Sequence, residues 1–171
     1  LPRVARRIAA DEPVTIVAFG SSTTVGFGTS SPAYTYPNRL ADQLRRKFPT
    51  SDITIINRGM GGQDAPEMMK RFDAAVLAAD PDLVIWQLGT NTVVKGSESD
   101  VAATAALLED GIARLQARGI DVCAERCELV AAHVPRGRPQ RHLRVGLVVF
   151  NGKVHEGGRV FLQIHARRPE L

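Results

Sequence analysis

The sequence predicts an α/β protein built on a parallel sheet. Three observations carry that expectation. Short apolar runs alternate with stretches of helical periodicity, in the order strand, helix, strand, helix. Each of the first three apolar runs stops at glycine and small polar residues, "GSS", "GMGG" and "GTN". The chain has 171 residues, of which 44% are hydrophobic and 23% charged, enough for one domain with a real core.

The elements follow in order. Residues 1–12 form an N-terminal segment whose start, "LPRVARRIAADEP", is basic but lacks the long apolar core of a secretory signal. Val14–Phe19 is a β-branched run between Pro13 and Gly20, as expected of a buried strand. Pro37 suits the first turn of a helix with Leu40, Leu44 and Phe48 on one face, closed by Pro49. Ile53–Ile56 reads as a second buried strand. Asp64 is placed to cap a helix with Pro66 and Glu67 in its first turn. Met68, Met69, Phe72, Ala75, Val76 and Ala79 make its apolar side. Leu83–Leu88, "LVIWQL", is the third buried strand. Ser97 and Asp100 resemble a capping box for a long helix carrying Val101, Ala105, Leu108, Ile112 and Leu115, ended by Gly119. Ile120–Cys123 begins a fourth strand.

In parallel sheets, ligand sites gather at the carboxyl ends of the strands. The three polar, glycine-rich strand ends therefore converge on one edge. The residue types there suit acyl transfer, which needs a nucleophile and donors for the oxyanion of a tetrahedral intermediate. Ser22 is the candidate nucleophile. Its own amide, the Gly62 amide and the Asn91 side chain are candidate oxyanion donors. Glycine at 62 lets backbone approach closely, and asparagine gives a neutral N–H donor.

These residues resemble the SGNH hydrolases, also called GDSL esterases and lipases. Gly20-Ser21-Ser22 is similar to the family's Gly-Asp-Ser block, with Ser21 in place of the aspartate. "INRGMGGQDAPE" resembles the second block and "LGTNT" the third, Gly-x-Asn. The resemblance spans roughly residues 13–123. It implies a flavodoxin-like three-layer α/β/α sandwich and hydrolysis of esters, including acetylated sugars, lipids and thioesters. It assigns the nucleophile to Ser22 and the oxyanion hole to Gly62 and Asn91. The partner it implies is a small-molecule ester, acyl or acetylated sugar. The alternative on the same fold is a non-catalytic module that binds an acyl or carbohydrate group.

The resemblance stops near Cys123. The family's last block, Asp-x-x-His, is absent: the residues three before His133, His142, His155 and His165 are Val130, Pro139, Gly152 and Leu162. The tail 124–171 contains no Ser, Thr or Asp, types that supply 27 of the first 123 residues. "LRVGLVVFNGKVHEGGRVFLQIH" reads as a β-hairpin around Asn151-Gly152. Two explanations stand: a shift of coding frame near residue 123, or a diverged C-terminal hairpin. A family-like Asp-x-x-His in another frame of the coding DNA decides for the first.

Other functions fit less well. Net charge is +4 with basic residues scattered and aromatics at 5%, so no nucleic-acid surface is expected. No apolar run reaches the length of a bilayer span. Cys123, Cys127 and His133 make a poor zinc pattern, and no metal or other cofactor is expected. "GSSTT" could present amides to a phosphate, but neither Gly-x4-Gly-Lys-Ser/Thr nor Gly-x-Gly-x-x-Gly follows the first strand.

Overall fold

The computed structural model describes residues 1–95, 98–131 and 141–150. Five strands form one sheet: β1 (Val14–Gly20), β2 (Ile53–Gly59), β3 (Leu83–Leu88), β4 (Asp121–Ala131) and β5 (Arg141–Phe150), in the order β2-β1-β3-β4-β5. The first four are mutually parallel and β5 is antiparallel to β4. Register aligns Gly20 with Gly59, Phe19 with Trp86 and Leu88 with Arg126. The helices are α1 (Pro2–Ala9), α2 (Ser22–Val25), α3 (Tyr36–Lys47), α4 (Ala65–Lys70), α5 (Phe72–Ala75), α6 (Thr90–Lys95) and α7 (Glu98–Gln116).

Strand alternation sorts side chains to two faces. On one face Val17, Phe19, Val84, Trp86, Leu88 and Val122 pack under Met68, Phe72 and Val76 of the α4–α5 segment and Leu108, Ile112 and Leu115 of α7. On the other, Val14, Ile16, Ile53 and Leu83 meet Val4 and Ile8 of α1 and Leu44 and Phe48 at α3. The result is the expected three-layer α/β/α sandwich. Phe19, Phe72 and Trp86 form an aromatic centre with ring centroids 5.3–5.9 Å apart. Gly111 lies inside α7 because a Cβ there would stand 2.4 Å from the Trp86 ring. Among the described residues, the indole Nε1 of Trp86 is a buried donor without a hydrogen-bond partner, a cost accepted for filling this space.

Asp64 caps α4, as the sequence predicts, and Glu67 closes a reciprocal capping box with it. Two expectations are corrected, those for β2 and for the helix from Asp64. β2 is an edge strand, with Ile53 its one buried residue, and it extends through Asn57 and Arg58 to Gly59. The helix expected from Asp64 is broken: α4 stops at Lys70 and Arg71 takes φ −108°, ψ 5° before α5. β4 runs on to Ala131. The first arm of the expected tail hairpin is β5, which pairs with β4, while Asn151-Gly152 lies outside the described residues. The N-terminal segment also forms α1, anchored at the amino ends of β3 and β4: Arg3 Nε donates to Asp82 Oδ1 at 2.7 Å and the Val4 amide to Asp121 Oδ2 at 3.0 Å. No helix among the described residues is long and apolar enough to cross a membrane.

Candidate active site

The three glycine-rich loops leave neighbouring strands, β2, β1 and β3, at their carboxyl ends. The nucleophile loop comes from β1, the middle one. Gly20 is forced there: a Cβ would lie 2.1 Å from Thr24 Oγ1 and 3.0 Å from the Gln87 carbonyl. Ser21 is buried and precedes α2, and Ser22 is the partly buried first residue of that helix. Gln87, 3% exposed on β3, fixes this turn. Its Oε1 accepts from the Ser21 amide at 3.3 Å and the Ser21 hydroxyl at 3.2 Å, and its Nε2 donates to Thr90 Oγ1 at 3.3 Å. Gly26 closes α2 at φ +94°, a conformation that other residues adopt at a cost.

The second loop is stitched to the first. Asn57 Nδ2 donates to the Thr24 carbonyl at 2.8 Å, and Asn57 Oδ1 accepts from the Gly59 amide at 2.8 Å. The Met60 amide donates to the Gly20 carbonyl at 3.0 Å. Gly62 follows in a turn at φ +79°. Arg71, beyond α4, turns back to this loop: Nε donates to Gln63 Oε1 at 2.6 Å, Nη1 to the Arg58 carbonyl at 3.0 Å and Nη2 to the Gly20 carbonyl at 3.2 Å. Burial, and then the positive charge of Arg58, lower its pKa below the ordinary arginine value.

The third loop turns at Gly89, φ +100°, into α6. Asn91 lies in the first turn, partly buried. Its Nδ2 donates to the Gln63 carbonyl at 2.7 Å. Asn91 is thus tied to the residue after Gly62, while the loop holding both is tied to Gly20. These bonds bring the neighbourhoods of Ser22, Gly62 and Asn91 together.

A pocket of about 380 Å³ opens beside Ser22, lined also by Thr23, Phe27, Tyr34 and Tyr36. Phe27 is 85% and Tyr34 59% exposed, so two aromatic faces flank its mouth. Gly62 and Asn91 are not part of its lining. His142 stands on β5 opposite Val130, and the other three histidines lie outside the described residues. Three inter-strand spacings, roughly 14 Å, separate the backbones of β5 and β1.

Sequence reasoning missed Gln87, Asn57 and Arg71. Gln87 carried a signal, as the one polar residue in "LVIWQL".

Among curated proteins, none matches the chain. Solved structures do. A G-D-S-L-family protein from Desulfitobacterium hafniense DCB-2 is 24% identical, with TM-score 0.56, over 65% of this chain and 58% of that one. A two-domain esterase active on acetylated mannans is 26% identical, TM-score 0.62, over 72% of this chain and 32% of its own. The SGNH-hydrolase family esterase AlinE4 is 28% identical, TM-score 0.58, over 66% and 58%. The chain therefore spans less than two thirds of the length of each. Residues 1–124 match the Non-GDSL lipase-like family, a stretch that contains all three loops and the strands beneath them, and the chain belongs to that family.

Proposed function

We propose that the chain is a serine ester hydrolase that works through an acyl-enzyme on Ser22, with Gly62 and Asn91 in its oxyanion hole. Its substrate is a small-molecule carboxylic ester or thioester, an acyl or acetylated-sugar compound. The observation that carries this reading is the meeting of three loops from adjacent strands, cross-tied by Met60 to Gly20 and Asn91 to Gln63. The family and the esterases among its structural neighbours support it.

In this reading Ser22 Oγ attacks the ester carbonyl carbon. The carbonyl oxygen becomes negative and takes hydrogen bonds from the Ser22 and Gly62 amides and from Asn91 Nδ2. A primary amide has two N–H groups, so the one given to Gln63 orients Asn91 while the other serves the oxyanion. Collapse expels the alcohol, which leaves with a proton, and water then releases the acid. Phe27 and Tyr34 offer flat apolar faces to the group beside the ester, as a sugar ring requires.

The 171 residues hold no Asp-x-x-His pair; with no base beside it, Ser22 would stay protonated and turnover would be weak. Serine hydrolases stripped of triad members retain roughly 10³–10⁴-fold catalysis from the oxyanion hole and binding. That same absence favours the second reading, a binding module for an acyl or carbohydrate group. Initial rates on p-nitrophenyl acetate separate the two. The hydrolase reading expects turnover that Ser22→Ala removes. Equal rates for both proteins, each shown to be folded, reject it and leave the binding module.

A further inference from the structure

Arg71 touches two of the three site loops and reaches the third through a single residue. Its three guanidinium nitrogens are spent on three acceptors: Gln63 Oε1, the Arg58 carbonyl and the Gly20 carbonyl. The guanidinium carbon lies 4.5 Å from the centroid of the Phe19 ring, within cation–π range. Gln63 in turn holds Asn91 through its main-chain carbonyl, and Gly20 is two residues before Ser22.

We propose that Arg71 is a positioning residue that sets the spacing between the Ser22 loop and the loop carrying Gly62 and Gln63, and through Gln63 the position of Asn91. The inference rests on the assignment of Ser22, Gly62 and Asn91 as the working site. Its physical basis is the shape of the group. Guanidinium is a rigid planar fork with donors in fixed directions, so it holds three acceptors from two loops in one geometry. A lysine ammonium is a point charge on a flexible stem and cannot span them together. Three carbonyl-type acceptors and an aromatic face also compensate a partly buried cation. The backbone bond from Met60 to Gly20 and the Asn57 bond to the Thr24 carbonyl also join the two loops, but neither reaches Gln63. Arg71 adds bonds that run from the Gly20 carbonyl to Arg58 and on to Gln63. The break between α4 and α5 falls at Arg71 itself, which lets its side chain leave the helical row and turn to the loops.

The test uses the full chain and has a readout independent of activity. The side-chain amide pair of Asn91 is followed by ¹H–¹⁵N NMR and assigned by its loss in Asn91→Asp. Arg71→Lys and Arg71→Met should displace or broaden that pair in proteins that still unfold cooperatively. Gln63→Leu, which removes one acceptor but keeps the main-chain carbonyl, should do so to a smaller extent and covers the case that Arg71→Met fails to fold. Where wild type shows Ser22-dependent turnover, kcat should fall roughly 10–100-fold with KM little changed, as a displacement near 1 Å would produce. An Asn91 pair unmoved in folded Arg71→Lys overturns the proposal, as does an unchanged kcat. If wild type has no Ser22-dependent turnover, the hydrolase reading fails alone, and the NMR result still decides whether Arg71 positions Asn91.

Discussion

Replacing Gly59 with alanine tests how closely β2 and the nucleophile helix approach. An ideal Cβ at Gly59 stands 2.2 Å from Val25 N, 2.6 Å from the Thr24 carbonyl carbon and 2.7 Å from Val25 Cα. All three are backbone atoms of α2, so no side-chain rotation relieves the clash. Ordinary contact begins near 3.4 Å, so α2 and the end of β2 must part by about an ångström. The Asn57 bond to the Thr24 carbonyl resists that movement. Overpacking of this kind costs about 1–3 kcal/mol. For a chain of this size that lowers the melting temperature by roughly 2–12 °C. Because Ser22 opens α2, the same movement should reduce Ser22-dependent turnover by up to about 10²-fold. Gly61→Ala is the control: it has open space around it and no left-handed φ, and should stay within about 0.5 kcal/mol of wild type. Thermal unfolding followed by circular dichroism reads both variants. If Gly59→Ala melts with wild type, the close approach of β2 and α2 is refuted.

Two further perturbations address the supports of the site. Gln87→Leu leaves the buried amide and hydroxyl of Ser21 without their acceptor, and should destabilise the protein by about 2–4 kcal/mol in denaturant unfolding. Asp64→Ala removes the acceptor for the Glu67 amide at the start of α4, and should cost about 1 kcal/mol, read as a melting temperature lower by roughly 2–4 °C.

The central strands were legible because their signal is local. β1 and β3 are covered on both faces, so their sequences are nearly continuous apolar runs bounded by proline or aspartate and glycine. The Asp64 cap was equally local. The edge position of β2 was not legible, since "ITII" reads alike in a central or an edge strand. Sheet order decides its exposure, and sheet order is not a property of four residues. The break at Arg71 was hidden because Met68, Phe72 and Val76 keep a four-residue spacing across it. α6 was missed because "TNTVVK" is rich in poor helix formers, and its helix depends on the turn at Gly89. The candidate site residues stood out as types and spacing, whereas their supports did not. Arg71 and Asn57 are ordinary polar residues in sequence, and only the folded chain shows which carbonyls they meet.

The proposed hydrolysis requires that Ser22 carry the acyl group. If no base stands beside Ser22, water attacks the acyl-enzyme slowly, and the intermediate should persist long enough to trap. The direct measurement is peptide mass spectrometry of the full chain after incubation with p-nitrophenyl acetate and quenching in acid, with Ser22→Ala alongside. One acetyl group is expected on the peptide containing Ser22, absent from the variant. Acetylation confined to other nucleophiles, equal in both proteins, contradicts it.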